Sequence, residues 1–249
     1  MLNIWIKALL KRMGIIAVRQ SSRVYLPEDE SYRIVASLVG CKDPVVFDGG
    51  AHLGDVPDQL GALLPDARFF SFEPDPELGA ILEQRFQGNA KVKVIRAALG
   101  DTPGWAKFNL NASKPTNSLL PASDSLQADL KTLCQLVEQV DVEVVTIDDF
   151  CRKSAIDRVD VLKLDLQGYD YLALKGASDT LKKAKVVLVE VLFVELYQGA
   201  HGFPDILNLM LERGFKLHTL CGLHYGESNE LMWADAIFVP AATVASKGV

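Results

Sequence analysis

Four acidic residues stand where chemistry could be done. Asp48, Glu73, Asp165 and Glu190 each close a short apolar run: VVFD, RFFSFE, RVDVLKLD and KVVLVE. Such runs read as buried parallel strands, and open α/β sheets bind ligands outside the carboxyl ends of their strands. The acids should therefore converge on one edge. In the stretch 45–55, VVFDGGAHLGD, an acid precedes Gly49 and Gly50, and Gly54 follows. The paired glycines permit positive φ and let a ligand approach the backbone. After Gly54 the chain can enter a helix whose N-terminus offers free N–H groups to an anion. A loop for pyrophosphate alone gains little from Asp48, whereas a ligand with an ammonium or sulfonium group does. The bland alternative is a tight strand-to-helix turn.

Each further candidate has two readings. Glu73 can accept two hydrogen bonds from a ribose diol, or cap the next helix. Asp165 ends the central strand and is the first candidate for a general base toward an alcohol; it can instead hydrogen-bond an ammonium group or helix N–H groups. Glu190 serves as a second acid, or forms with Asp165 a site for a hard divalent ion. No third carboxylate is evident nearby, so a metal is not expected. Lys163 shares a strand face with Asp165 by period-two alternation and, if buried, needs such a partner. His201, after strand five, and His224, in a later hairpin, suit proton transfer near neutrality but are also ordinary loop residues. His218, inside a strand, reads as structural. Asn117 and Ser118 are either polar contacts to a ligand or turn residues.

The elements that must position these groups alternate. Residues 31–39 read as a helix stopped by Gly40, 45–48 as strand one and 56–64 as a crossover helix ended by Pro65. Strand two is 68–73, a helix follows over 75–87, and strand three is 91–99. This is the first half of a doubly wound sheet. The alternation then breaks: 105–109 is a short strand, 111–125 a loop, and Leu126, Leu130, Leu133, Val137 and Val140 mark one helical face. A β-like run follows at 143–147. Residues 102–145 thus form an insertion of the sort that builds a substrate wall or lid. Strand four is 158–165, a helix lies around 169–174, and strand five is 185–190. The amphipathic helix 204–213 leads to strands six (215–220) and seven (231–239). The connection 221–230 is too short for a crossover helix, so strand seven runs antiparallel to strand six.

The chain has 249 residues, enough for one α/β domain with appendages. A formal charge of −6 without a basic stripe argues against nucleic-acid binding. Cys41, Cys134, Cys151 and Cys221 are scattered, which reads as reduced thiols in a cytoplasmic protein. Residues 1–27 carry five basic and no acidic residues, with Ile4, Trp5, Ala8 and Leu9 at helical spacing. The stretch is too short and charged to span a bilayer and lacks the apolar run of a signal peptide. It can lie on an anionic membrane surface, pack on its own domain, or make a homodimer contact. Residues 1–40 are accordingly read as a helical extension and 41–249 as the main domain.

The pattern D-x-G-x-x-x-G at Asp48, Gly50 and Gly54 resembles motif I of class I methyltransferases. It differs from the dinucleotide fingerprint G-x-G-x-x-G, whose middle glycine would be Ala51. Together with FSFEPDP, AALGD, the T-N-S-L-L run, VVTIDDF, DVLKLDLQGYDYLALKGA and VLVEVLFVELY, it makes the chain similar to the FkbM-type S-adenosylmethionine-dependent methyltransferases over roughly residues 45–240. The resemblance implies a Rossmann-like, seven-stranded, mostly parallel sheet with an antiparallel last strand. It implies S-adenosylmethionine held by Asp48, Gly49, Gly50, Ala51, His52, Gly54, Glu73, Pro74, Ala98 and Asp101, with Asp165 close by. It also implies O-methylation of a sugar, glycan or polyketide-type hydroxyl. Asp165, Glu190 and His201 are the catalytic candidates. One departure stands out: the family pattern K-x-D-x-E-G has Gln167 in place of its glutamate, and Gln167 can neither act as a base nor bind a metal as a carboxylate does. The rival readings are an NAD-dependent oxidoreductase and a non-catalytic S-adenosylmethionine-binding protein.

Overall fold

Val45, Val46 and Phe47 are all essentially inaccessible to solvent, because the strand they form has a neighbour on each side and a helical layer on each face. The structure is a computed structural model that describes residues 28–244; the basic stretch 1–27 lies outside the described residues. In chain order the elements are α1 (Glu28–Leu38), β1 (Val45–Gly49), α2 (Asp55–Leu63), β2 (Arg68–Phe72), α3 (Pro76–Arg85), β3 (Val92–Ile95), β4 (Ala98–Leu99) and β5 (Gly104–Asn111). There follow α4 (Ala128–Leu133), β6 (Leu136–Val145), α5 (Ile147–Lys153), β7 (Val161–Leu164), α6 (Asp170–Lys175), α7 (Ser178–Leu181), β8 (Val186–Leu192), α8 (Phe203–Glu212), β9 (Phe215–Tyr225) and β10 (Leu231–Pro240).

Seven strands pair in the order β3-β2-β1-β7-β8-β10-β9. All pairings from β3 to β8 are parallel, and β10 runs antiparallel to both β8 and β9. This is the expected class I methyltransferase sheet. Period-two alternation deals the apolar side chains to two cores. Val45, Phe47, Leu162, Val187 and Val189 pack with α5, α6, α7 and α8. Val46, Val161, Val186, Leu188 and Ile237 pack with Val35 and Val39 on the other side, where α2 adds Val56 and Leu60. The helix α1 is therefore a wall of the second core. Among the described residues, no helix is long and apolar enough to cross a membrane.

Two expectations need correction. Strand three is not continuous over 91–99: it breaks at Arg96 and Ala97, β3 staying in the large sheet while β4 joins a second sheet of order β4-β6-β5. The helix expected across 126–140 is only α4; Val137 and Val140 belong to β6, which pairs antiparallel with β5. Leu136 and Val137 are exposed on that ribbon, so the apparent helical face was a coincidence of spacing. The small sheet has its own apolar cluster of Ala98, Phe108, Val142 and Val144.

Candidate functional site

The carboxyl ends of β1, β2, β7 and β8 open into a cavity of about 450 Å³, within the size range of small-molecule sites. To one side of β1 its wall is made by Gly50, Ala51, His52, Glu73, Pro74, Ala97, Ala98 and Leu99, with Phe108, Lys114, Pro115, Asn117 and Leu119 from the insertion. To the other side, beyond β7, it is made by Tyr32, Glu190, Gly222, His224, Trp233 and Asp235. Asp165 and Gln167 lie between the two halves, following β7.

The first half is built around Glu73. Its Oε2 accepts from the His52 N–H at 2.7 Å and its Oε1 from the Asp75 N–H at 2.9 Å. The carboxylate thereby ties the loop after β1 to the start of α3. Each oxygen keeps a second lone pair for a ligand. Burial pushes Glu73 up to about 7, against the pull of those two backbone N–H groups. Helix α3 is capped by Asp75, which accepts from Glu77 and Leu78 N–H. Asn117 Nδ2 donates to the same carboxylate at 3.0 Å, anchoring the insertion over this half. At Gly50, φ is 75° and an added Cβ would lie 2.0 Å from the Asp165 carbonyl oxygen. Only glycine lets the loop after β1 lie against the end of β7.

Asp48 does not reach the cavity. It is fully buried, and the register places it between Ser71 and Lys163 on the α1 face of the sheet. Lys163 Nζ stands 3.6 Å from Asp48 Oδ1 and 3.8 Å from Asp165 Oδ2, and 3.5 Å from the carbonyls of Gly49 and Gly50. The ammonium group expected to meet Asp48 is thus the chain's own. Burial pushes Asp48 above the ordinary carboxylate range, with Lys163 acting against it. For Lys163 burial lowers, but Asp165 and Asp48 more than compensate, so the group is held above its usual value.

The row of polar groups continues across the sheet. Asp235 faces Glu190 in the β8–β10 register, and Tyr32 of α1 covers the row. Its phenol is raised to about 12 by burial, with Lys163 pulling it down. Glu190 is raised well above its ordinary value by burial and then by Asp165, Asp170 and Asp235. Gln167 Nε2 donates to Asp165 Oδ1 at 2.7 Å and to Glu190 Oε2 at 3.2 Å. Beneath them, buried Asp170 accepts from Leu166 N–H at 3.1 Å and is pushed to about 7, mainly by burial. Beyond Glu190, the rings of His224 and Trp233 stack at 4.6 Å and 13°, forming a half-exposed aromatic shelf on the cavity wall.

Of the sequence candidates, the structure brings Gly50, Ala51, His52, Glu73, Pro74, Ala98, Asp165 and Glu190 to this cavity. Besides Asp48, it does not bring Gly49, Gly54, Asp101 or His201 to it. Gly49 packs beneath, against Leu164 and Leu99, and Gly54 packs against Phe86. Asp101 pairs with Lys175 at 3.4 Å. His201 stacks on Tyr171 with ring centroids 3.9 Å apart and faces Asp205, outside the wall. His224 sits in β9 rather than in a loop, because the hairpin turn is tighter than expected. Tyr32, Trp233 and Asp235 were not anticipated. A signal existed in LMWADAIFV, where alternation puts Trp233 and Asp235 on one face of an otherwise apolar strand. Among the described residues, no group of three or more His, Cys, Asp or Glu is placed to hold a metal ion.

The sequence matches the methyltransferase FkbM domain over residues 48–217. It is 26% identical over 184 residues to 2-O-methyltransferase NoeI of Sinorhizobium fredii, covering 72% of this chain and 76% of that protein. It is 24% identical over 197 residues to methyltransferase sdnD of Sordaria araneosa, covering 70% and 74%. A putative methyltransferase from Streptococcus mutans, solved in complex with S-adenosylhomocysteine (SAH), superposes with a TM-score of 0.50 at 9% identity, covering 90% of this chain and 100% of that one. That likeness is one of fold.

Proposed function

The chain belongs to the methyltransferase FkbM family, and on that premise we propose that it uses S-adenosylmethionine to methylate a hydroxyl of a sugar or similar polyhydroxylated acceptor. The observation that carries this reading is the two-part cavity with Asp165 at its junction. The half beside β2 fits the cofactor. Gly50 lets the loop after β1 close against Asp165 and so shapes the cavity wall, Glu73 retains lone pairs for a ribose diol, and Ala97, Ala98 and Leu99 offer a small apolar wall for a flat base. Bound there, the cofactor supplies a methyl group on a positively charged sulfur.

The other half fits the acceptor. The Trp233–His224 shelf offers an aromatic face to the C–H side of a sugar ring, and Asp235 and Glu190 flank it as partners for hydroxyls. Asp165 stands where the acceptor hydroxyl must come to meet the methyl donor, and accepts its proton as the new C–O bond forms. Most of the acceleration in such a displacement comes from alignment at about 3–3.5 Å, which a cavity with fixed halves provides. The 2-O-methyltransferase among the relatives supports oxygen as the acceptor atom.

Calorimetric titration with S-adenosylmethionine and SAH tests the first half, with Glu73→Ala as control. Micromolar binding that Glu73→Ala weakens at least tenfold is expected. A screen of mono- and oligosaccharides by mass gain of one methyl group tests the second. A folded protein that binds neither cofactor form would refute the reading, and one that binds both but methylates no hydroxyl compound would refute its acceptor half.

A further inference from the structure

Gln167 is bound at both polar atoms of its side chain and at its backbone carbonyl. Its two Nε2 hydrogens go to Asp165 Oδ1 and Glu190 Oε2 at 2.7 and 3.2 Å. Its Oε1 accepts from the Tyr197 hydroxyl at 2.6 Å, and its backbone carbonyl accepts from Ser118 Oγ at 2.8 Å. The backbone is also constrained: φ is 52°, a left-handed conformation that is unfavourable for a residue with a Cβ. Gly168 follows with φ 91°, and an added Cβ there would lie 3.1 Å from the Tyr197 ring, so the glycine lets the phenol close onto the amide. Tyr197 is almost fully buried, and burial raises its hydroxyl far above the ordinary value. It therefore remains a donor. Its hydroxyl lies 3.3 Å from the Thr116 carbonyl but only 2.6 Å from Gln167 Oε1, the nearer acceptor, and an acceptor atom toward Tyr197 leaves the NH₂ toward the acids.

We propose that Gln167 is a positioning residue whose amide does for Asp165 and Glu190 what a divalent cation does for a carboxylate pair. It bridges them, relieves their repulsion and holds Asp165 toward the acceptor hydroxyl. The resemblance noted from the sequence implies a glutamate at this place. A third carboxylate at 2.7 and 3.2 Å from the other two would need a proton or a hard cation between them, since oxygen-only sites of this kind suit Mg²⁺ or Mn²⁺. In this chain the point between the acids is taken by nitrogen-bound hydrogens. The cation-like role is filled by the side chain itself, which Tyr197 holds from the loop after β8, while Ser118 of the insertion holds the Gln167 backbone.

The proposal rests on the methyltransferase reading for its kinetic arm, but its binding arm does not. In calorimetric titrations with MnCl₂, the wild-type protein is expected to show no saturable site. Gln167→Glu is expected to gain one Mn²⁺ per chain, at least tenfold tighter than any wild-type binding, and the double variant Asp165→Asn, Gln167→Glu to lose it. Equal Mn²⁺ binding by wild type and Gln167→Glu would overturn the proposal, because the wild-type amide would then be presenting Oε1 to a metal; so would no gain in a Gln167→Glu protein with native circular dichroism. Tyr197→Phe keeps the amide but frees it to turn. It is expected to lower kcat at least tenfold while SAH affinity and acceptor KM stay within about twofold, and unchanged kcat would overturn the positioning role.

Discussion

Replacing Lys163 by methionine should cost more stability than replacing Asp48 by asparagine, although both break the same ion pair. At 3.6 Å, two unit charges attract by about 4.6 kcal/mol at an effective dielectric of 20. Desolvation offsets much of that in the intact protein. Lys163→Met leaves the Asp48 carboxylate fully buried with no cation beside it, and stranding a buried charge costs about 3–5 kcal/mol. Asp48→Asn leaves the ammonium with Asp165 at 3.8 Å and two backbone carbonyls at 3.5 Å, so about 1–2 kcal/mol is expected. In the double variant neither charge is stranded, and a coupling of about 2 kcal/mol or more should appear in the double-mutant cycle. Urea unfolding followed by circular dichroism reads these differences. With a slope near 3 kcal/mol per molar, Lys163→Met should lower the midpoint by roughly 1–1.7 M. Zero coupling would refute the pair as a structural unit. A tenfold or greater loss of SAH affinity in Asp48→Asn at unchanged stability would refute it differently, by showing that Asp48 serves the ligand after all.

Three further outcomes follow from the geometry. Glu73 is held near 7 by burial, and ribose hydroxyls donate to its ionised form, so SAH affinity should rise with pH, about tenfold per unit below 7 and levelling above it; calorimetry in Glu73→Gln should show a flat profile. Trp233→Ala removes the shelf's indole and should raise acceptor KM at least tenfold while SAH affinity holds within about twofold, in initial-rate measurements. Asp160 is fully buried and accepts from Val45 N–H, with Arg158 and Lys185 each 2.9 Å away. Burial alone would raise it, but these partners hold it below the ordinary value. The stability it gives is present above the unfolded value near 4 and lost as pH falls through the folded one, so Asp160→Asn should destabilise by about 2–3 kcal/mol at pH 7 and by progressively less below pH 4.

The sheet was legible because its strands are bounded by residues with local meaning. VVFD, RFFSFE and KVVLVE are runs that only a doubly covered strand explains, and Gly40, Pro65 and Gly214 mark element ends within a residue or two. The insertion was not legible in the same way. Leu126, Leu130 and Leu133 continue into Val137 and Val140 at helical spacing, yet β6 is recruited by β5, whose Gly104–Asn111 run it pairs along nearly its whole length. Pairing partners lie tens of residues away, and a one-sided ribbon leaves Val137 exposed, so neither period announces the strand. The split of strand three has the same origin: β4 leaves its sheet to pair with Val144 and Val145.

The site shows the same division between what is local and what requires register. That acids end the strands is a property of each run by itself, and Glu73, Asp165 and Glu190 reach the cavity as that predicts. What each acid faces depends on its neighbours across the sheet. Within β1 alternation already sends Asp48 to the face of Val46, toward α1 rather than toward the ligand. Only the pairing of Asp48 with Lys163 shows that the cation beside it is internal. Gln167 was visible as a departure from a pattern, but a departure by itself says only what a residue cannot do. Its positive role rests on three contacts separated by 2, 23 and 30 residues, of which only the first, to Asp165, is near in sequence. An amide lacks the charge of a glutamate, yet between two acids that lack is an advantage, because an uncharged donor can join them where a third anion would need a metal.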